Sequence, residues 1–104
     1  METARSFIQT QIQQVPVVTF TKSFCPHSQK VKNILKKNNI KFHDIQLDGR
    51  PDMDFIQDVL KDITGARTVP RVFVNGNFVG GGDYTVILLD QGKLQLLLKE
   101  ASGA

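Results

Sequence analysis

The run Arg71-Val72-Phe73-Val74, then Asn75-Gly76, then Asn77-Phe78-Val79 constrains the fold more than any other in the chain. Two short apolar, strand-forming runs separated by Asn-Gly predict a β-hairpin with a type I′ turn. That turn needs positive φ at both central residues, which asparagine and glycine tolerate best. Upstream, Val15-Pro16-Val17-Val18-Thr19-Phe20 is a continuous apolar run, as expected of a strand buried on both faces. From Pro26 to about Asn38, Val31, Ile34 and Leu35 recur at helical spacing, and Lys30, Lys32, Lys36 and Lys37 are expected on the rest of the helix surface. Residues 41–47 read as a second strand, although the alternation slips between Phe42 and Ile45. A β-α-β unit feeding a hairpin predicts an α/β fold: a mixed four-stranded sheet with helices on both faces.

The remaining segments complete an order of α-β-α-β-α-β-β-α-α. Residues 3–14 predict a helix with Phe7, Ile8 and Ile12 on one face. Asp48-Gly49-Arg50-Pro51-Asp52 reads as a turn. Residues 52–64 predict a helix with Asp52 as N-cap, Ile56, Val59, Leu60 and Ile63 on its apolar face, and Gly65 as its stop. After Gly80-Gly81-Gly82, Asp83 is expected to cap a helix over 84–90. Gly92 then precedes a last helix carrying Leu94, Leu97, Leu98 and Ala101.

A chain of 104 residues is expected to form one domain, residues 1–104, and 40% hydrophobic residues suffice for a single core. No run approaches the roughly 20 apolar residues of a membrane span. Met1-Glu2-Thr3-Ala4-Arg5-Ser6 leads into a polar segment rather than the apolar region of a signal peptide. The charge of +3 is mild. The lysines are spread along the chain and the aromatics read as core, so no nucleic-acid or membrane partner is expected; a basic groove for a small anion accounts for the excess equally well.

Cys25 is the single cysteine. It permits no intramolecular disulfide, which points to a reducing, cytoplasmic setting. Pro26 fits the first helical position, where its missing N–H costs nothing. Cys25 would then be the N-cap, facing unpaired backbone N–H groups and the positive end of the helix dipole, with Lys22 nearby. Such surroundings favour the thiolate and lower the thiol pKa. The other role open to a lone cysteine is inert core packing.

Two further motifs stand out. Ala66-Arg67-Thr68-Val69-Pro70 leads into the hairpin. Only about 5–6% of X-Pro bonds are cis, so the sequence alone gives no reason to expect one at Val69-Pro70. Gly80-Gly81-Gly82-Asp83 permits close backbone approach to a ligand, and the helix after it offers N–H groups to an anion; the plainer reading is a flexible connection.

Taken together and in this order, Cys25-Pro26-His27-Ser28, Thr68-Val69-Pro70 and Gly80-Gly81-Gly82-Asp83 resemble the glutaredoxins, the glutathione-dependent branch of the thioredoxin fold. The resemblance spans roughly Phe7 to Leu98. It implies that Cys25 is the nucleophile and that Pro70 is cis and faces it. It further implies that Val69, with Thr68 beside it, pairs through its backbone with the cysteinyl part of glutathione. Lys22, Gln57 and Arg67 match positions that approach the glycine carboxylate, and Gly81, Gly82 and Asp83 match those that hold the γ-glutamyl end. His27 is counted with the glutathione-binding residues. His43 reads as a strand-edge surface residue with no role.

The chain departs from the dithiol pattern in three places. Ser28 stands where those enzymes have a resolving cysteine, so no Cys25–Ser28 disulfide can form. His27 replaces the usual aromatic residue and adds a titratable group near the thiolate. Gly82 and Tyr84 replace the usual cysteine and a frequent aspartate. The resemblance therefore implies a glutathione-dependent thiol–disulfide oxidoreductase that reduces protein–glutathione mixed disulfides by a monothiol route. Glutathione is the co-substrate, glutathionylated proteins are the partners, and a monomer without a metal is expected. Two alternatives stay open: an iron–sulfur cluster carrier, against which Pro26 in place of the usual glycine argues, and a dithiol protein-disulfide reductase in which Ser28 is an engineered replacement of cysteine.

Overall fold

The computed structural model describes residues 3–102, and side chains through residue 98. Helix α1, Ala4–Gln14, is capped by Thr3, whose hydroxyl oxygen accepts from the Ser6 N–H at 3.1 Å. Strand β1 is Val17–Thr21 and is buried throughout. It starts two residues later than expected, because Val15 closes α1 and is 36% exposed. Helix α2 is Pro26–Lys37, β2 is His43–Gln46 and α3 is Met53–Thr64. Strands β3, Arg71–Val74, and β4, Asn77–Gly80, lead to α4, Gly82–Asp90, and α5, Lys93–Ser102.

The four strands lie in the order β2-β1-β3-β4. β1 runs parallel to β2 and antiparallel to β3, and β3 runs antiparallel to β4. Asn75 and Gly76 both have positive φ, 53° and 83°, as the type I′ turn requires. The expected mixed sheet and thioredoxin fold are therefore present. His43 is exposed on the edge strand, as expected.

Alternation along the central strands builds one core on each face of the sheet. Val18, Phe20 and Phe73 point toward Ile8 and Ile12 of α1 and Ile56 and Leu60 of α3. Val17, Val72 and Val74 point the other way, toward Val31 and Leu35 of α2, Leu88 and Leu89 of α4 and Leu94 of α5. The α2–α4 contact on this second face sets two helix N-termini at the same end of the sheet.

Several expectations need correcting. Lys32 is not a surface lysine. It is 9% exposed, and its Nζ lies 3.4 Å from Asp44 Oδ2, while Asp44 Oδ1 accepts from the hydroxyls of Thr19 and Thr21. Ser28, Lys32 and Leu35 share one buried helix face at four- and three-residue spacing. Asp52 occupies the N-cap position of α3 but makes no side-chain cap, because Arg50 holds its carboxylate at 2.9 Å. Asp83 is not the cap of α4: Gly81 is, and Asp83 lies inside the first turn. Ile63 and Leu97 are 39% and 40% exposed rather than core. The expected packing of Ala101 lies outside the described side chains.

Candidate active site

The site begins with the start of α2. Cys25 is its N-cap, in extended conformation, and the first helical hydrogen bond runs from Gln29 N–H to Cys25 O at 3.0 Å. Pro26 has no N–H to leave unpaired. The N–H groups of His27 and Ser28 and the Ser28 hydroxyl lie where they favour the ionised form of the Cys25 sulfur. Partial burial pushes the thiol pKa up. The Ser28 N–H and hydroxyl, the His27 N–H and the Lys22 charge outweigh it and hold the thiol below its ordinary value. The surroundings of Cys25 thus lower its thiol pKa, the direction the helix start predicts.

Ser28 contributes more than the absence of a second thiol. It is fully buried, and its Oγ also accepts from the Lys22 N–H at 3.3 Å. It therefore ties the loop before Cys25 to the first turn after it. Asp48 and Gln29 fix the same loop. Asp48 accepts from the Ser23 N–H at 2.8 Å and from the Ser23 hydroxyl, and Gln29 Nε2 donates to Ser23 O at 2.7 Å. The Ser23 hydroxyl and N–H, and then the Lys22 charge, keep the Asp48 carboxyl below the usual carboxylate range. Nothing in the sequence pattern singled out these partners. Asp48 read as a turn residue, and its link to Ser23 joins residues 25 apart in sequence.

Across from Cys25, the Val69-Pro70 bond is cis, as the resemblance implied. The Cys25 thiol approaches Val69 O at 3.9 Å. A groove of about 340 Å³ runs from here, lined by His27, Thr68, Val69, Pro70, Arg71, Gly81, Gly82 and Asp83. Gly82 is where two walls meet: a Cβ there would lie 3.4 Å from His27 Cβ and 3.5 Å from Pro70 Cγ. The first hydrogen bond of α4, Thr85 N–H to Gly81 O at 3.1 Å, leaves the N–H groups of Gly82, Asp83 and Tyr84 ahead of it, and no side chain caps them.

The other expected residues lie apart from this groove. Lys22 sits on the Cys25 side, where its charge acts on the sulfur. Gln57 is 4% exposed and its Nε2 donates to Arg67 O at 2.9 Å, so it holds the loop backbone rather than an open face. The Arg67 guanidinium turns to α3, 3.4 Å from Asp58 and 3.8 Å from Asp54. Arg71, which the sequence reading passed over, is in the groove instead. Among the described residues no group of three or more His, Cys, Asp or Glu side chains is arranged to hold a metal ion.

Comparison with known proteins agrees with this arrangement. The glutaredoxin family model matches residues 17–79. Glutaredoxin-C6 of Oryza sativa subsp. japonica is 43% identical over 90 residues, 86% of this chain and 80% of the relative. The crystal structure of oxidized glutaredoxin 2 from Chlamydomonas reinhardtii superposes with a TM-score of 0.90 at 42% identity, covering 97% of this chain and 95% of the other. A buckwheat glutaredoxin–glutathione complex superposes with a TM-score of 0.90 at 34% identity, covering 95% and 90%.

Proposed function

The chain belongs to the glutaredoxin family, thiol oxidoreductases that use glutathione, and from that premise we propose that it reduces protein–glutathione mixed disulfides through Cys25 alone. The observation that carries this reading is the pairing of a stabilised thiolate at Cys25 with a buried serine, not a thiol, three residues on. The Cys25 thiolate attacks the glutathionyl sulfur of the mixed disulfide. The old S–S bond breaks, the target protein leaves as a thiolate and takes up a proton, and Cys25 is left joined to glutathione. A second glutathione thiolate attacks the glutathione sulfur of that adduct. Glutathione disulfide leaves and Cys25 returns as thiolate. Attack depends both on the thiolate fraction and on intrinsic nucleophilicity, so a moderately lowered pKa serves better than an extreme one.

In this reading Val69 offers its backbone to the cysteinyl unit, beside Thr68 and Pro70. Lys22 supplies charge at the glycine end, assisted through the loop that Gln57 and Arg67 hold. Gly81, Gly82 and Asp83 take the γ-glutamyl end, with Asp83 toward its ammonium, and His27 closes the wall between. The bound glutathione in the buckwheat structure supports a site for the tripeptide on this fold. The lone cysteine supports a reducing compartment, which we take to be the cytoplasm, and one active site per monomer.

The test is intact mass after exposure to glutathione disulfide. One glutathione should add and excess glutathione should remove it, with ping-pong kinetics on a small glutathione mixed disulfide. Cys25→Ser should abolish both adduct and turnover. A Cys25→Ser variant that still turns over would sink the proposal.

A further inference from the structure

Arg71 is the arginine that the sequence reading left without a role, and its surroundings differ from those of the chain's other arginines. Arg5 pairs with Asp62, Arg50 with Asp52 and Arg67 with Asp58. Arg71 has no carboxylate partner among the described residues. It is half-buried, and that burial pulls its pKa down, so a fixed charge sits partly desolvated without a counter-ion. A cation in that state gains from any anion brought to it.

The guanidinium is also held rigidly. Nε donates to Thr68 O at 2.7 Å, Nη2 donates to Thr68 Oγ1 at 2.8 Å, and the plane lies over the Phe78 ring at 5.2 Å. Thr68 takes one hydrogen from Nε and one from Nη2. Both Nη1 hydrogens and the second Nη2 hydrogen remain for other acceptors. A Cβ built at Gly81 would lie 3.7 Å from Nη2 and 3.5 Å from Pro70 O, ordinary contact distances that place the guanidinium beside the backbone entering α4. Arg71 and the uncapped N–H groups of Gly82 and Asp83 thus line one groove.

We propose that Arg71 is a substrate-binding residue whose free N–H groups hold the α-carboxylate of the γ-glutamyl unit, together with the N-terminus of α4. The inference rests on the glutathione reading of the groove. It gives the two acidic ends of the tripeptide separate cations: Lys22 on the Cys25 side and Arg71 on the α4 side. Asp83, the acidic side chain lining the same wall, is left for the γ-glutamyl ammonium. Bracing Thr68 is the other half of the role, because the same fork that binds the ligand fixes the residue preceding Val69.

The test uses two mixed disulfides of one small thiol. One carries glutathione and the other carries 4-aminobutyryl-cysteinyl-glycine, which lacks only the α-carboxylate. Parent protein and R71Q are compared on kcat/KM with each, and on the rate of Cys25 alkylation by iodoacetamide. The parent should prefer the glutathione substrate by about tenfold or more, as expected for a charged hydrogen-bonded contact. R71Q should lose most of that preference through KM while alkylation stays at the parental rate. R71K keeps the charge without the planar fork and should retain only part of the preference; it serves if R71Q does not fold. Equal losses of R71Q on both substrates, no loss on either, or parental preference in R71K would overturn the assignment to Arg71. A parent protein that turns over neither substrate would instead overturn the proposed function.

Discussion

The N-termini of α2 and α4 flank one groove, yet they are finished in opposite ways. At α2 the early donors serve the chain itself: Pro26 has no N–H, and those of His27 and Ser28 favour the ionised form of the Cys25 sulfur. The loop ahead of it is tied down by Asp48, Gln29 and Ser28. At α4 the cap is Gly81, no side chain reaches back, and the Gly82, Asp83 and Tyr84 N–H groups precede the first helical bond. One helix end favours an anion of its own chain, the ionised form of Cys25, whose thiol pKa it lowers. The other is left bare beside a guanidinium with no carboxylate partner among the described residues. The same backbone electrostatics serve reactivity where the chain supplies the charge, and binding where a ligand must.

The largest expected effect comes from filling the bare end. Gly82→Glu places a carboxylate at the start of α4, and its Cβ fits at ordinary contact distance from His27 and Pro70. A negative charge in the first helical turn is itself stabilising by about 0.3–1 kcal/mol. The variant should therefore melt no lower than the parent while kcat/KM on a glutathione mixed disulfide falls about tenfold or more, as the loss of charged hydrogen bonds implies. Alkylation of Cys25 should be little changed. Parallel losses in alkylation and turnover would show that the two ends do not divide the work.

A smaller effect should come from loosening the occupied end. Ser28→Ala removes the hydroxyl donor to the thiolate and leaves the Lys22 N–H without its acceptor. The thiol pKa should rise, and alkylation at neutral pH should slow by the worth of one net hydrogen bond, about 0.5–1.5 kcal/mol. KM for the glutathione substrate should hold. A Ser28→Ala protein that alkylates at the parental rate across pH would mean that the backbone N–H groups alone set the thiolate.

This contrast also marks what could be read in the sequence. The hairpin was legible because Asn75-Gly76 leaves few conformations open, and Cys25-Pro26 announced a helix start because proline suits that position. Strand and helix registers followed from local periodicity. The misses turn on partners and turns that residue type alone does not specify. Lys32 is buried because Asp44, on the neighbouring strand, meets it, and a one-dimensional pattern treats lysine as surface. Residue type alone makes Asp52 and Asp83 caps, but Arg50 engages the first and α4 starts with its cap two residues earlier, at Gly81, in the second. Arg67 and Arg71 are four residues apart, the first in the loop before Val69-Pro70 and the second at the start of β3. Only the fold shows that the first faces α3 and the second the groove. Ser28 was legible as a missing thiol, not as a donor, because its partners depend on how the loop before Cys25 closes over it.

The smallest effect sharpens the comparison through pH and stability. The folded state holds the Cys25 thiol below its ordinary value, so folding favours the thiolate. Such a group contributes stability fully above the unfolded thiol pKa of about 8.5, and the contribution is lost as pH falls through the lower folded value. Urea denaturation of the reduced protein, referenced to Cys25→Ser, should therefore show a difference that grows with pH across that window and levels off above it. The half-exposed sulfur is screened by solvent, so the slope should be shallow. Gly82→Glu should leave this parent-minus-serine difference as it is, because the two helix ends act on different charges. A difference that stays flat from the acidic side to beyond pH ~8.5 would mean that the α2 terminus does not favour the thiolate, and the contrast between the two ends would fail at its root.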